Sequence, residues 1–597
     1  MTAPRAGLGA VPQADGSTRF RFWAPALDGV TLELGDGRTQ ALKPDPQGLF
    51  EHRFARCPAG TAYRYRLPDS TAVPDPASRA QADDVHGDSL VVDPGAYAWK
   101  HDQWRGRPWS QTVIYELHPG LCGGFKGVAG ELPRLAELGI TAIELMPVAD
   151  FPGRRNWGYD GVLPYAPDRA YGAPDDLRAL VDEAHGLGLM VFLDVVYNHF
   201  GPDGNYLNAY APAFFRDDVQ TPWGAAIDFR RPQVRAFFTE NALHWIEEYR
   251  IDGLRFDAVH AIHDPDWLQQ TARAIRASAQ AAGRFVHLVL ENDDNRAELL
   301  RPTSEGAHYD AQWNDDAHHA LHVLLTGERE GYYAAYADAP ARHLARCLSE
   351  GFAYQGETFE PSGHARGTRS ADLPPAAFVM FLQNHDQVGN RAFGDRLSVL
   401  CREPEALRAA TALLLLAPSI PLLFMGEPWG SRTPFLYFTD HTDAKLAGLV
   451  REGRRREFAR FRAFADPATR ERIPDPNEPA TFERSRADAL EDDVGARIHA
   501  DELRHLLRVR REHVVPGIDG CVSLGARAIG DAAVCARWRL GDGRVLTLAA
   551  NFGEEPITLD PSPAGALVHS TRIAQAHAAP AGDAVPLPAF CCAAWIA

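Results

Sequence analysis

The chain has 597 residues, 45% hydrophobic and 23% charged, the composition of an ordinary globular protein with room for about three domains, one of them large. A formal net charge of −18 argues against a nucleic-acid or anionic-membrane surface as partner and suits a neutral substrate. Eight cysteines, with Cys591 and Cys592 adjacent, form no CxxC pair and no regular spacing, so they read as buried thiols of a cytoplasmic protein rather than a disulfide framework.

The first stretch, MTAPRAGLGAVPQADG, has one arginine and no long apolar core behind it, so no signal peptide is expected. The longest apolar runs, such as 409–425, are broken by Pro418 and Pro421 and fall short of a membrane span. Residues 1–97 read as an N-terminal immunoglobulin-like β-sandwich, with RFRFWAP (19–25), VTLEL (30–34) and YRYRL (63–67) as short strands between Gly, Pro and Asp turns.

From residue 112 strands alternate with amphipathic helices, the pattern of parallel βα units. VIYEL (113–117) and ITAIEL (140–145) are the first two strands, with a helix between them that closes on Gly139. LMVFLDVV (189–196) is the third, preceded by a helix that starts with Pro174. A helix over 232–249 leads into the fourth strand, 251–256, and HLVLE (287–291), YDAQW (309–313), AFVMFL (377–382) and PLLFM (421–425) complete eight. The expected fold class is α/β: a (β/α)₈ TIM barrel over 98–512, flanked by the N-terminal sandwich and a second β-sandwich over 513–597. The last sandwich follows a helix at DELRHLLRVRR (501–511). The insert at 200–230 is too long for a plain connection and is expected to fold over the barrel mouth.

The fourth strand organises the chemistry. In RIDGLRFD (250–257) apolar residues alternate with Arg255 and Asp257, which share one face at the strand's C-terminal end. Nearby strand ends supply Asp194, Asn198 and His199, then Glu291, then His385 and Asp386. Each has a structural explanation alone, but together, with no phosphate loop or cofactor fingerprint, they point to glycoside cleavage. That reaction needs one neutral carboxyl to protonate the leaving oxygen and one ionised carboxylate against an oxocarbenium-like transition state. Arg255 beside Asp257 marks the nucleophile. Glu291 follows the apolar run VHLVL, which suits the general acid, and Asp386 would hold sugar hydroxyls. A carboxyl separation of roughly 5–5.5 Å, and so retention of configuration, is expected. Trp157 and Tyr159 in NWGYDG, and Trp223 in the insert, are candidate sugar-stacking rings. WNDDAHH (313–319) has no helical i, i+4 histidine pair, so neither a catalytic metal nor a cofactor is expected.

DVVYNH (194–199), GLRFDAVH (253–260), VLENDDN around Glu291 and FLQNHDQ (381–387) resemble, in this order, the four motif regions of the α-amylase superfamily. The resemblance implies Asp257 as nucleophile, Glu291 as acid/base and Asp386 as transition-state stabiliser, with Tyr159, His199, Arg255 and His385 around the attacked sugar. Further stretches, among them NWGYDGV, FGPDGNYL, LTGEREGYY, QNHDQVGNR and TPFLYFTDH, are similar to those of maltooligosyltrehalose trehalohydrolases. That similarity implies hydrolysis of the α-1,4 bond next to a terminal trehalose. It adds substrate contacts from His260, Asp315, Asp316, His318, His319, Gln387 and Asn390, and from Trp223 near the trehalose. It also implies a maltooligosyltrehalose substrate and a functional pairing, without a stable complex, with a maltooligosyltrehalose synthase. After YELH the run PGLCGGFKGV departs from the family's usual pattern at Pro119 and Cys122. The competing readings are a glycogen branching or debranching enzyme with the same three acids, and a non-catalytic glucan-binding protein.

Overall fold

Eight short buried strands close into a parallel barrel: β1 (Ile114–Leu117), β2 (Ala142–Leu145), β3 (Met190–Val195), β4 (Gly253–Phe256), β5 (His287–Leu290), β6 (Ala311–Trp313), β7 (Phe378–Phe381) and β8 (Ile420–Phe424). Each pairs with the next, and β8 returns to β1. This is a computed structural model; it describes residues 7–597 except 222–223, 304–305, 307, 460, 487–492 and 573–583. All eight strands lie where the hydrophobic runs place them, trimmed at the ends except β8, which is shifted back by a residue. β4 starts at Gly253 because Arg250 has a left-handed φ of 55°, which turns the chain before it can pair.

A packed layer fills the lower interior, with Ile114, Met190, Phe192, Trp313, Phe381 and Leu422 all buried. Phe192 fits because its neighbour across the β3–β4 register is Gly253, where a Cβ would come within 2.6 Å of the ring. The plug separates the C-terminal strand ends, where the acids lie, from the N-terminal face. Helices α1 (Phe125–Leu138), α2 (Pro174–Gly186), α3 (Pro232–Glu248), α4 (Pro265–Ala282), α5 (Asp315–Thr326), α6 (Pro340–Glu350), α7 (Pro404–Leu416), α8 (Ala444–Phe458) and α9 (Val494–Val509) are the long ones between and after the strands. α1 ends on left-handed Gly139, and α2 to α4 begin with proline, as those residues direct. α9 begins at Val494 rather than Asp501, because the Asp493 side chain caps it by accepting from the Ala496 N–H.

The N-terminal strands form two antiparallel sheets, of three and five strands, and Phe22 stacks on Tyr65 at 4.0 Å in their core. The 200–230 insert only partly covers the mouth. Its first residues reach the opening, but Tyr210 and Phe214 pack on Phe22 and Trp23, at 4.8 and 5.3 Å, and tie it to the N-terminal sheets. The last segment is a five-stranded antiparallel sheet with a two-stranded partner. All eight cysteines are free thiols. Among the described residues, no helix is long and apolar enough to cross a membrane.

Candidate active site

Parallel strands that end together deliver the residues just beyond them to one mouth. Asp194 and Arg255 face each other across the β3–β4 register. The Arg255 guanidinium, fully buried and 4.3 Å above the Trp313 ring, donates through Nη1 to Asp194 Oδ2 at 2.7 Å and to Asp257 Oδ1 at 2.8 Å. Its Nη2 lies 2.9 Å from Glu291 Oε2, close enough for charge attraction but off the axis of a hydrogen bond. One cation therefore serves three carboxylates, and other donors meet Asp257 and Glu291, while Asp194 Oδ1 meets none among the described residues. Asn198 Nδ2 donates to Asp257 Oδ2 at 2.7 Å. Ala258, held at a left-handed φ of 41°, points its N–H at Glu291 Oε2, 2.8 Å away. That strain, at a residue with a Cβ, fixes the relation between the two acids.

A second chain of hydrogen bonds begins on β1. Glu116 accepts from the His385 backbone N–H at 3.0 Å and from Nδ1 at 2.5 Å. His385 Nε2 donates to Tyr159 Oη at 2.7 Å, and Tyr159 donates to Asp194 Oδ2 at 2.7 Å. Burial works against charge on His385, but the carboxylates of Asp386 and Glu116 outweigh it and lift the imidazole to about 9. Burial raises the Asp194 carboxyl to about 7, with Arg255 opposing. Asp386, 3.5 Å from His385 Nε2 and accepting from Asn390 Nδ2 at 3.0 Å, is also raised by burial and by Glu291, with His385 opposing.

The acids stand where two cavities meet. The first, about 550 Å³, is walled by Trp157, Tyr159, His199, Asp257, His385 and Tyr437. The second, about 690 Å³, is walled by Asp315, His319, Tyr332, Tyr333, Phe458 and Phe464. Glu291, Asp386 and Asn390 line both, whereas Asp257 lines the first alone. Two adjoining apolar-walled chambers with carboxyls at the junction suit a chain of sugar rings with the scissile bond between them.

Most of the expected contacts reach these walls. Exposed His260 lines the first chamber, and Gln387 lines the second, where its Nε2 donates to Asp315 Oδ1 at 3.0 Å. Burial, with Glu291, Asp293 and Asp386 nearby, pushes the Asp315 carboxyl up to about 8. His199 Nε2 donates to Tyr159 O, 2.9 Å away, and Trp157 Nε1 donates to Leu436 O, so each ring is fixed from behind. Arg255, an expected contact, lies buried beneath the acids and lines neither chamber. Two more lie elsewhere on α5, because successive residues of a helix point in different directions. Asp316 faces inward from α5 and accepts from Asn295, Tyr336, Arg366 and the Ala353 and Tyr354 N–H groups. His318 is buried against Phe381, with Nδ1 2.7 Å from Leu382 O. Trp223 lies outside the described residues. The PGLCGGFKGV turn borders neither chamber.

Sequence reasoning passed over Glu116, which sits inside the β1 run and reads as one more strand residue. It also passed over Tyr332, Tyr333, Phe458 and Phe464, which come from separate segments with no shared pattern.

The description of the alpha-amylase catalytic domain matches residues 78–213, and a domain family of unknown function, DUF3459, matches 522–591. A malto-oligosyltrehalose trehalohydrolase from Deinococcus radiodurans is 40% identical over 562 residues, 90% of this chain and 90% of that protein. One from Rhizobium sp. (strain M-11) is 39% identical over 590 residues, 96% of each. A crystal structure of a Salmonella typhimurium protein described as an alpha amylase superposes with a TM-score of 0.92 at 43% identity, covering 99% of each chain. A 1,4-alpha-glucan branching enzyme of Corynebacterium jeikeium is more distant, 28% identical over 466 residues, 70% of this chain and 61% of that enzyme.

Proposed function

The chain belongs to the malto-oligosyltrehalose trehalohydrolases of the alpha-amylase superfamily, and from that premise we propose how its residues divide the work. It is a glycoside hydrolase that cleaves the α-1,4 bond next to the terminal trehalose of maltooligosyltrehalose, with retention of configuration. The glucose being attacked occupies the first chamber, because Asp257 lines that chamber alone, and the trehalose leaves through the second.

Asp257 Oδ2 attacks the anomeric carbon while Glu291 gives its proton to the glycosidic oxygen. The carbon–oxygen bond breaks, trehalose departs, and the malto-oligosaccharide remains as an ester on Asp257. Glu291, now ionised, takes a proton from water, whose oxygen attacks the same carbon and releases Asp257. Asp386 holds the sugar hydroxyls, the His385 imidazolium faces the same chamber, and Trp157, Tyr159 and His199 shape the ring's pocket. His260, Asp315, His319, Gln387 and Asn390 contact the rest of the chain. The observation that carries this reading is the convergence of Asp257 and Glu291 on the single Arg255 guanidinium.

The enzyme works in the cytoplasm, downstream of a synthase that closes the reducing end of a malto-oligosaccharide into trehalose, without forming a stable complex with it. Incubation with maltooligosyltrehalose should yield free trehalose and a shortened malto-oligosaccharide, whose first-formed anomer is α by NMR. New α-1,6 branches in glycogen with no trehalose released would replace this reading with the branching one.

A further inference from the structure

A third cavity, about 640 Å³, opens at the opposite, N-terminal face of the barrel. Its floor is the start of β1 and β2 at Val113 and Thr141, and its sides are the C-terminal ends of α1 and α9. Five arginines line it, 107, 504, 508, 510 and 511, against two carboxylates. The chain as a whole carries −18, so acids were abundant and yet did not gather here.

Among the described residues only Arg504 is matched, by Asp501 and more distantly by Glu137. Arg107 donates to Gly188 O at 2.6 Å and to Gln111 Oε1 at 3.3 Å, both neutral. Arg508 meets only the His505 ring at 3.0 Å, and Arg511 has no ion-pair partner among the described residues. Arg510 is buried, donates only to the carbonyls of Leu415, Ala417 and Ser419, and leaves its Nε without a partner. A guanidinium stays charged under such conditions, so four positive charges share the cavity with no carboxylate paired to them among the described residues. The two helix C-termini supply only about half a negative charge each, too little to balance them.

We infer that this cavity binds a small phosphorylated metabolite, its phosphate gripped by the forks of Arg107, Arg508 and Arg511 and its body resting on Leu138, Leu507 and Val515. Planar guanidinium forks match phosphate oxygens two at a time, and the volume has room for a sugar or nucleoside behind the phosphate. The site lies across the barrel plug from the acids, so its occupant does not compete with the glucan.

Isothermal titration of the full-length protein with pyrophosphate and with glucose 6-phosphate tests this, with glucose as the uncharged control. One-to-one binding is expected for the phosphorylated probes and none for glucose. Affinity should fall at least tenfold in R508A/R511A but stay within twofold in R537A/R539A, which removes the same charge from the C-terminal sheet. Both variants should keep the parent's hydrolysis rate, which reports that they fold. Absence of saturable binding, or equal losses in the two variants, would overturn the site and leave the arginines as helix-end counter-charges.

Discussion

Strand β4 carries one aspartate just before its first residue and another just after its last, and the two have opposite surroundings. Asp252 is sealed: Trp104 Nε1 and Arg284 Nη2 donate to Oδ1, each at 2.9 Å, and His185 Nε2 and the Val191 N–H donate to Oδ2 at 2.8 and 3.0 Å. Burial opposes ionisation there, but His185, Arg284 and these donors overcome it and bring the carboxyl below its ordinary range. Asp257 shares Arg255 with two other carboxylates and keeps 10% of its side chain exposed, where Asp252 has none. The difference teaches how to separate a brace from a reagent in one fold. A carboxylate whose lone pairs are all filled holds strands together, and one held in place but facing a chamber is free to react.

Substitution breaks the comparison most sharply. D257N should cut kcat by on the order of 10⁴-fold or more while leaving the thermal midpoint nearly unchanged, since Asp194 still pairs with Arg255. D252N should do the reverse. It strands the buried charge of Arg284, a loss of about 3–5 kcal/mol, read as a large fall in the midpoint with turnover per folded molecule preserved. Calorimetry and single-turnover kinetics on both variants decide the matter. A D257N protein that still turns over, or a D252N protein as stable as the parent, would mean the two aspartates were sorted wrongly.

The same contrast explains what could be read from the chain. The barrel was legible because its strands are apolar runs with regular spacing, and the three acids because each ends such a run. What partners each residue was not legible. Asp315 and Asp316 are identical neighbours in sequence, yet one lines a chamber and the other is locked by five donors, because a helix turns about 100° between them. The aromatic wall joins Tyr332 and Tyr333, in a short helical turn after α5, to Phe458 and Phe464, at and just beyond the end of α8, so no local pattern announces it.

Glu116 offers a milder and more selective test. It faces His385, whose other charged or titratable neighbours among the described residues include Asp386 on its own turn, Tyr159 from the β2 loop, Glu144 on β2, Asp194 on β3, Arg255 on β4 and His118 beyond β1. The His385 value is raised to about 9, so its charge is complete below about 6.5 and lost as pH climbs through 9. The stability it contributes fades over the same window. The alkaline limb of kcat/KM should therefore lie near pH 9. E116Q, which keeps the hydrogen-bond shape and removes the charge, should move that limb down by about one pH unit or more. It should also flatten the fall in thermal midpoint between pH 6.5 and 9. An unmoved limb would mean that the proton on His385 plays no part in turnover.

The smallest effect is expected one strand away. Glu144 on β2 is the register neighbour of Glu116, is equally buried, and has no hydrogen-bond partner for either oxygen among the described residues. Burial, with Glu116 and Asp194 close by, lifts its carboxyl well above the ordinary range. E144Q keeps nearly the same shape and breaks no hydrogen bond among the described residues, and should leave kcat/KM within about twofold and the limb at pH 9 in place. E116Q and E144Q thus make the same change at adjacent positions, yet only the first removes a direct ion-pair partner of His385. A tenfold loss of turnover in E144Q would show that the Glu144 proton takes part in the reaction, and the division between paired and unpaired acids would have to be redrawn around β2.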